Sequence, residues 1–259
     1  MKKVIVTMMA VCLAMSMWAV DLPNQGVGIQ IGWAQPTLRV NDKNSPDTLN
    51  HHIHMNGFKL GIVYDASYIA GFGSTMGLNY TFGVFNGGWQ STSPMYGTYP
   101  QERKLITYNE LELFVDWQYK FEVAKETYLI LYTGPTIQCG LDLDLRIDKR
   151  EEPKDPKTGL PTGEIVTKRG TPYDAYKADK TNYDPDVTGN VEADNALKRF
   201  NVTWGVGAGF QYKRYFLRGG YDFGLIGPFK NTDFSTNIHT RGRFDQWSIK
   251  LGVYIWYAD

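Results

Sequence analysis

At 259 residues, with 42% hydrophobic and 14% aromatic side chains, the chain is long enough for one large all-β domain or two average ones. Its 27 basic and 27 acidic side chains balance, which excludes the strongly basic surface that nucleic-acid binding requires. Two cysteines, Cys12 and Cys139, exclude a small secreted fold stapled by disulfides.

The first element is an export signal. Lys2 and Lys3, an apolar stretch from Val4 through Val11 to Trp18, and small Ala19 are laid out as a secretory signal peptide, expected over residues 1–19. It is too short to count as a spanning helix, and Val11 before Cys12 is a poor fit to a lipoprotein site. Cleavage after Ala19 leaves 25 basic against 27 acidic side chains and Cys139 alone, so no internal disulfide can form. Past residue 20 there is no run of eighteen apolar residues. A chain that is exported and stays in a membrane must then do so with strands.

Residues 20–259 read as one domain of eight strands, because apolar and polar side chains alternate in a period of two. The strands are expected at 26–36, 56–65, 73–85, 104–121, 127–147, 198–213, 215–226 and 244–257. Their connections alternate in length. The links at 37–55, 86–103, 148–197 and 227–243 are long and rich in Pro, Gly, Asn and charge, whereas 66–72, 122–126 and Arg214 are short. This predicts an all-β fold: an eight-stranded antiparallel up-and-down transmembrane β-barrel with short periplasmic turns and long extracellular loops. Closure also removes the free edges that such strands would present. A strand pair within 148–197, around "GEIVTK", would make the barrel ten-stranded, and Pro135 predicts a bulge or a local break in the fifth strand.

Alternation alone leaves open a soluble, lipocalin-like barrel with its apolar face inward. Glycine argues for the inverted arrangement. The polar files hold Gly28, Gly32, Gly57, Gly61, Gly77, Gly205, Gly207, Gly220 and Gly252, which would weaken a solvated face but make room inside a narrow barrel. The apolar files, such as Leu129, Leu131, Ile137, Leu141, Leu143 and Leu145 or Ile249, Leu251, Val253 and Ile255, then face lipid. Trp117, Tyr119, Phe121, Tyr212, Tyr215 and Tyr257 form an aromatic girdle at the short-turn end, with Trp33, Phe58, Phe200 and Trp247 nearer the long loops.

In this register the carboxylates of "NELELFVDWQYKF" face the lumen. The expected inward charges are Lys59, Glu110, Glu112, Asp116, Lys120, Asp142, Asp144, Arg146, Arg218, Asp222 and Lys250. Near-balance of charge in a narrow interior points to an ion-pair network that plugs the barrel. A catalytic carboxylate cluster would need access to substrate. His51, His52 and His54 in the first loop and His239 in the last could converge over the seam where strands one and eight meet. Imidazole suits Zn, Cu or Ni, but with no cysteine beside them and no fixed scaffold, solvated loop histidines are the favoured reading. "DPDVTGNVEADN" places Asp184, Asp186, Thr188 and Glu192 at calcium-loop spacing, but Asn195 stands where the pattern asks for a bidentate Glu. No nucleophile motif accompanies the neighbouring Ser235 and His239. No cofactor is expected and the chain reads as non-enzymatic, with a lipid- or peptide-cleaving barrel as the opposing hypothesis.

The "MKK" signal, strands such as "NVTWGVGAGFQYKRYFLRGGYDFGL" and the aromatic end "VYIWYAD" resemble the outer-membrane β-barrel proteins typical of Bacteroidota, including the PorT-like group. The resemblance implies a Gram-negative outer-membrane location and insertion by the barrel-assembly machinery through the last strand. Some members of the group accompany protein-secretion or assembly complexes. The expected role is an anchor or accessory subunit for such envelope proteins, with outer-membrane lipid as the constant partner. The competing expectation is a surface receptor or adhesin using the long third loop and its Tyr173, Tyr176 and Tyr183.

Overall fold

The computed structural model describes residues 25–42, 51–69, 71–91, 101–152, 164–174, 197–227 and 240–258, with 157, 162 and 176. The expected signal segment 1–19, His239 and residues 184–195 lie outside these residues. Among the described residues there are twelve strands: β1 (Gln25–Asp42), β2 (His51–His54), β3 (Asn56–Ile69), β4 (Phe72–Asn86), β5 (Gln90–Ser91), β6 (Gln101–Ala124), β7 (Thr127–Glu151), β8 (Val166–Lys168), β9 (Tyr173–Asp174), β10 (Phe200–Tyr212), β11 (Tyr215–Gly224) and β12 (Thr240–Ala258).

Eight of them close a ring in the order β1, β3, β4, β6, β7, β10, β11, β12, with β12 returning to β1 through an antiparallel ladder from Gln25↔Ala258 to Asp42↔Thr240. The four short strands extend the rim at the long-loop end. β8 pairs with Lys149–Glu151 and β9 with Asp144 and Leu145, so Val166–Lys168 flanks the upper end of β7 and adds no ninth or tenth stave.

The ring is apolar outside and polar inside. Ile62 is 58% exposed and Leu251 56%, while Glu112 and Arg218 are each 1% exposed. In water this would be untenable; in a bilayer it is the low-energy arrangement, since every ladder is closed and the outer side chains meet acyl chains. The chain is thus a transmembrane barrel of the outer-membrane type.

Two bulges change which side chains face inward. Asn109 pairs with Asp142 but Glu110 with Gly140, so Leu141 is an extra residue in β7. One inserted residue reverses the parity of everything beyond it. Leu143 is therefore buried and Leu145 packs against the same core cluster, whereas Asp142 is exposed. The expected lumen positions of Asp142, Asp144 and Arg146, and the lipid-facing positions of Leu143 and Leu145, are corrected by this shift. Likewise Val27 pairs with Trp256 but Gly28 with Tyr254, leaving Ile255 as the extra residue. Trp256 then takes the outward girdle position expected of Tyr257, whose ring packs on Tyr254 at 5.4 Å.

Pro135 produces a break without a bulge. It pairs with Trp204 of β10, and on the β6 side Val115 and Asp116 lack partners while Phe114↔Thr136 and Trp117↔Thr133 keep one register. The missing donor of proline accounts for the gap.

These registers can be checked by labelling in intact membranes. A charged maleimide should modify Asp142→Cys rapidly but leave Leu143→Cys, and the native Cys139 on the outer file, unmodified until the protein is denatured. Rapid labelling of Leu143→Cys with protection of Asp142→Cys would restore the uninterrupted register.

Candidate functional site: the filled lumen

The interior is organised as two polar clusters between apolar layers. Nearer the short turns, Asp65 of β3 is wholly buried. Its carboxylate accepts from Lys120 Nζ at 3.0 Å, Gln118 Nε2 at 3.0 Å and Tyr254 Oη at 2.6 Å. Arg218 Nη2 stands 3.5 Å from the same carboxylate and donates to Thr75 Oγ1 at 2.8 Å and Gln118 Oε1 at 2.7 Å. Buried charges persist when so surrounded, because most of the partners lost from water are regained; Arg218 Nε has none among the described residues.

Nearer the long loops, Glu112 of β6 is the acceptor for four donors on three other strands. Lys59 Nζ donates at 2.7 Å, Thr81 Oγ1 at 2.9 Å, Asn79 Nδ2 at 3.2 Å and Gln246 Nε2 at 2.7 Å. Gln30 donates to Asn79 at 2.6 Å, which carries the cluster to a fifth strand. Tyr108 donates to Glu110 one step above. Asp116, Asp222 and Lys250 border a cavity of only about 10 Å³ that also touches Lys59, Glu112 and Tyr132. That volume is about the threshold for one water molecule.

Aromatic rings fill the remaining space. Val63, Phe114, Phe216 and Tyr254 form one cluster, and Met55, Ile106, Tyr108, Leu143, Tyr176 and Phe244 close the long-loop end. The inward glycines make room for these rings more than for charges. A methyl group at Gly252 would overlap Phe216, and one at Gly207 would overlap Tyr132.

The long-loop cap depends on the Leu141 bulge. Gly140 N–H donates to Arg199 O at 2.7 Å, and the Arg199 guanidinium donates back to the carbonyls of Gly140 and Leu141. Arg199 also pairs with Asp174 at 3.3 Å and lies 4.9 Å from the Tyr176 ring, which rests on Gly140. Tyr176 is thereby a stopper, 7% exposed, and not a loop residue on display.

Of the expected inward charges, Lys59, Glu110, Glu112, Asp116, Lys120, Arg218, Asp222 and Lys250 line or enter the lumen. Arg146 instead pairs with Asp148 at 3.1 Å outside it. A hydrogen bond from Arg103, with Arg146 beside it, holds the Asp148 carboxyl below the usual carboxylate range. The inward set also gains Asp65, which stands in step with Lys59 along β3. Among the described residues the interior therefore holds five acids, Asp65, Glu110, Glu112, Asp116 and Asp222, and four bases, Lys59, Lys120, Arg218 and Lys250.

Residues 51 to 54 form β2 beside Val40 to Thr37, and His54 Nδ1 lies 3.0 Å from Thr37 Oγ1. Among the described residues no three His, Cys, Asp or Glu side chains converge as metal ligands.

No family model and no curated protein sequence matches the chain. Similar solved structures include Ail, the attachment invasion locus protein of Yersinia pestis, in complex with the heparin analogue sucrose octasulfate, at 12% identity and a TM-score of 0.36 over 90% of this chain and 99% of that one. Neisserial surface protein A is similar at 11% identity and a TM-score of 0.34, with the same coverage. The translocator domain of autotransporter NalP from Neisseria meningitidis is similar at 11% identity and a TM-score of 0.33 over 98% and 97% of the two chains.

Proposed function

We propose that this chain is a non-enzymatic integral barrel of the Gram-negative outer membrane, exported through a cleaved signal peptide, that serves as an anchor or accessory subunit for other envelope proteins. The observation that carries this reading is the filled lumen. The space beside Asp116, Asp222 and Lys250 is only about 10 Å³, and the carboxylates of Asp65 and Glu112 are committed to lysine, arginine, amide and hydroxyl donors. Among the described residues the surfaces left for work are the outer wall, the long-loop rim and a cavity of about 540 Å³ at the short-turn mouth beside Gln211, Tyr254 and Tyr257. At that rim the β6–β7 hairpin runs on past the apolar band, with Trp89 between the guanidinium groups of Arg103 and Arg150 at 4.8 and 4.0 Å.

Purification from gently solubilised outer membranes tests the role. A stoichiometric envelope partner that is lost when the β6–β7 hairpin is shortened above Tyr108 and Leu143 is the expected result. A protein recovered alone, yet binding host or matrix ligands through the same rim, would favour the surface-receptor reading. Reproducible unitary conductance in a planar bilayer would overturn the closed lumen on which both depend.

A further inference from the structure

The outer wall at the β1–β12–β11 seam carries a charged group that the lumen does not use. Arg39 and Arg243 stand directly opposite each other across the β1–β12 ladder, a placement of like charges that is unfavourable by itself. Asp245 holds them there. Its carboxylate is fully buried, lies 3.1 Å from Arg39 Nε and 2.8 Å from Arg243 Nε, and accepts from Tyr221 Oη at 2.8 Å and Gly224 N–H at 2.9 Å. Arg39 Nη2 donates to Tyr221 Oη at 3.0 Å, and the Tyr221 ring packs edgewise on Trp247 and Phe223.

Each arginine meets the carboxylate through Nε. Among the described residues no acceptor engages either terminal nitrogen of Arg243 or Nη1 of Arg39, and the two side chains are 44% and 37% exposed. Two guanidinium groups over one carboxylate leave a net positive charge on two partly exposed side chains. The position defines what meets them. Going along β12 the outward file is Ile255, Leu251, Ile249 and Trp247, and the next outward residues are Asp245 and Arg243. The group therefore sits just above the acyl-chain band, at the depth of a headgroup.

We propose that this seam binds the phosphate of an outer-leaflet glycolipid, with the acyl chains lying along Trp247, Ile249, Leu251 and Trp33 of the wall. Arginine forks match phosphate oxygens in pairs, and the buried Asp245 keeps the two forks oriented before the lipid arrives. The proposal rests on the outer-membrane placement proposed above and not on the accessory role.

Native mass spectrometry of the detergent-released barrel tests it, with bisphosphorylated lipid A, its dephosphorylated form, phosphatidylglycerol and inorganic phosphate as probes. The expected result is retention of one bisphosphorylated lipid A. Removal of the lipid's phosphates should weaken retention about tenfold or more, and so should the triple substitution Arg39→Met, Arg243→Met, Asp245→Asn, since charge-assisted pairs are lost in each case. The triple change removes the shared anion along with both cations, and its folding is checked by the heat-dependent gel shift; Arg243→Gln is read in its place if that shift is absent. Equal retention of the dephosphorylated lipid, or undiminished retention by the folded variant, overturns the proposal. So does phosphatidylglycerol held as tightly as lipid A, or inorganic phosphate displacing lipid A outright. Membrane fractionation separates the two levels: a barrel absent from the outer membrane sinks the placement, whereas one found there without phosphate selectivity sinks only this site.

Discussion

Arg218→Met should lower the urea midpoint of the folded barrel by the equivalent of about 3 to 5 kcal/mol, the usual loss when a buried ion loses its partner. Arg218 spans from β11 to Thr75 on β4, Gln118 on β6 and Asp65 on β3, so its removal leaves three acceptors in a dry interior. The lower end of that range is expected, because Lys120 and Tyr254 still serve Asp65. A double-mutant cycle then assigns the partner. Coupling with Asp65→Asn should be clear, whereas coupling with Glu112→Gln should stay within about 0.5 kcal/mol, as for sites without shared contacts. The natural guess from charge alone, that Arg218 answers the Glu110–Glu112 file, is thus replaced by a pairing lower in the barrel. An unchanged midpoint for Arg218→Met would mean that this residue does not face a dry lumen.

Glu112→Leu should be more damaging still, since it strands Lys59 together with the donors of Asn79, Thr81 and Gln246. Lys59→Met is expected to cost less, about 3 to 5 kcal/mol, because three neutral donors continue to solvate the carboxylate. Adding Glu112→Gln to Lys59→Met should recover part of that loss by removing the orphaned charge. The measurement is the same urea titration of the gel shift, and the expected order is Glu112→Leu, then Lys59→Met, then the double variant. If the double variant is the least stable of the three, the two residues do not form the central pair.

What could be read from the residues alone divides by the range of the interaction. The eight staves and the alternation of long and short links follow from local periodicity and turn chemistry, so they are visible in the chain. The inverted faces are visible too, because glycine in a polar file has little use on a solvated wall. Asp65 was equally accessible, being in step with Lys59, and the inward set read from the sequence omits it. The bulges at Leu141 and Ile255 are different. The bulge at Leu141 is held by Arg199, about sixty positions further along the chain, and by Tyr176 against the neighbouring Gly140, and the one local sign of the slip is the isolated Gly140 in the strand pattern. Pairing across the lumen is similarly hidden, because the stagger of the staves decides which charges reach one level. Alternation says that Arg218 points inward; it does not say that Asp65 is waiting there.

The length of the β6–β7 hairpin has a mechanical consequence. Its staves hold 24 and 25 residues. At about 3.3 Å per residue and a tilt near 40°, such a stave climbs about 60 Å, against an apolar band about 25 Å tall. The open end of this strand pair above Tyr108 and Leu143, about eight residues in each strand, therefore stands about 20 Å clear of the membrane as a stiff mast, braced by Trp89 between its two arginines and by the Arg103–Asp148 pair at 2.8 Å. A macromolecule can grip its tip without displacing lipid. A pull applied there runs down one continuous stave from Arg103 to Glu110 and Glu112, so tension at the cell surface becomes shear on the hydrogen bonds that keep the barrel shut.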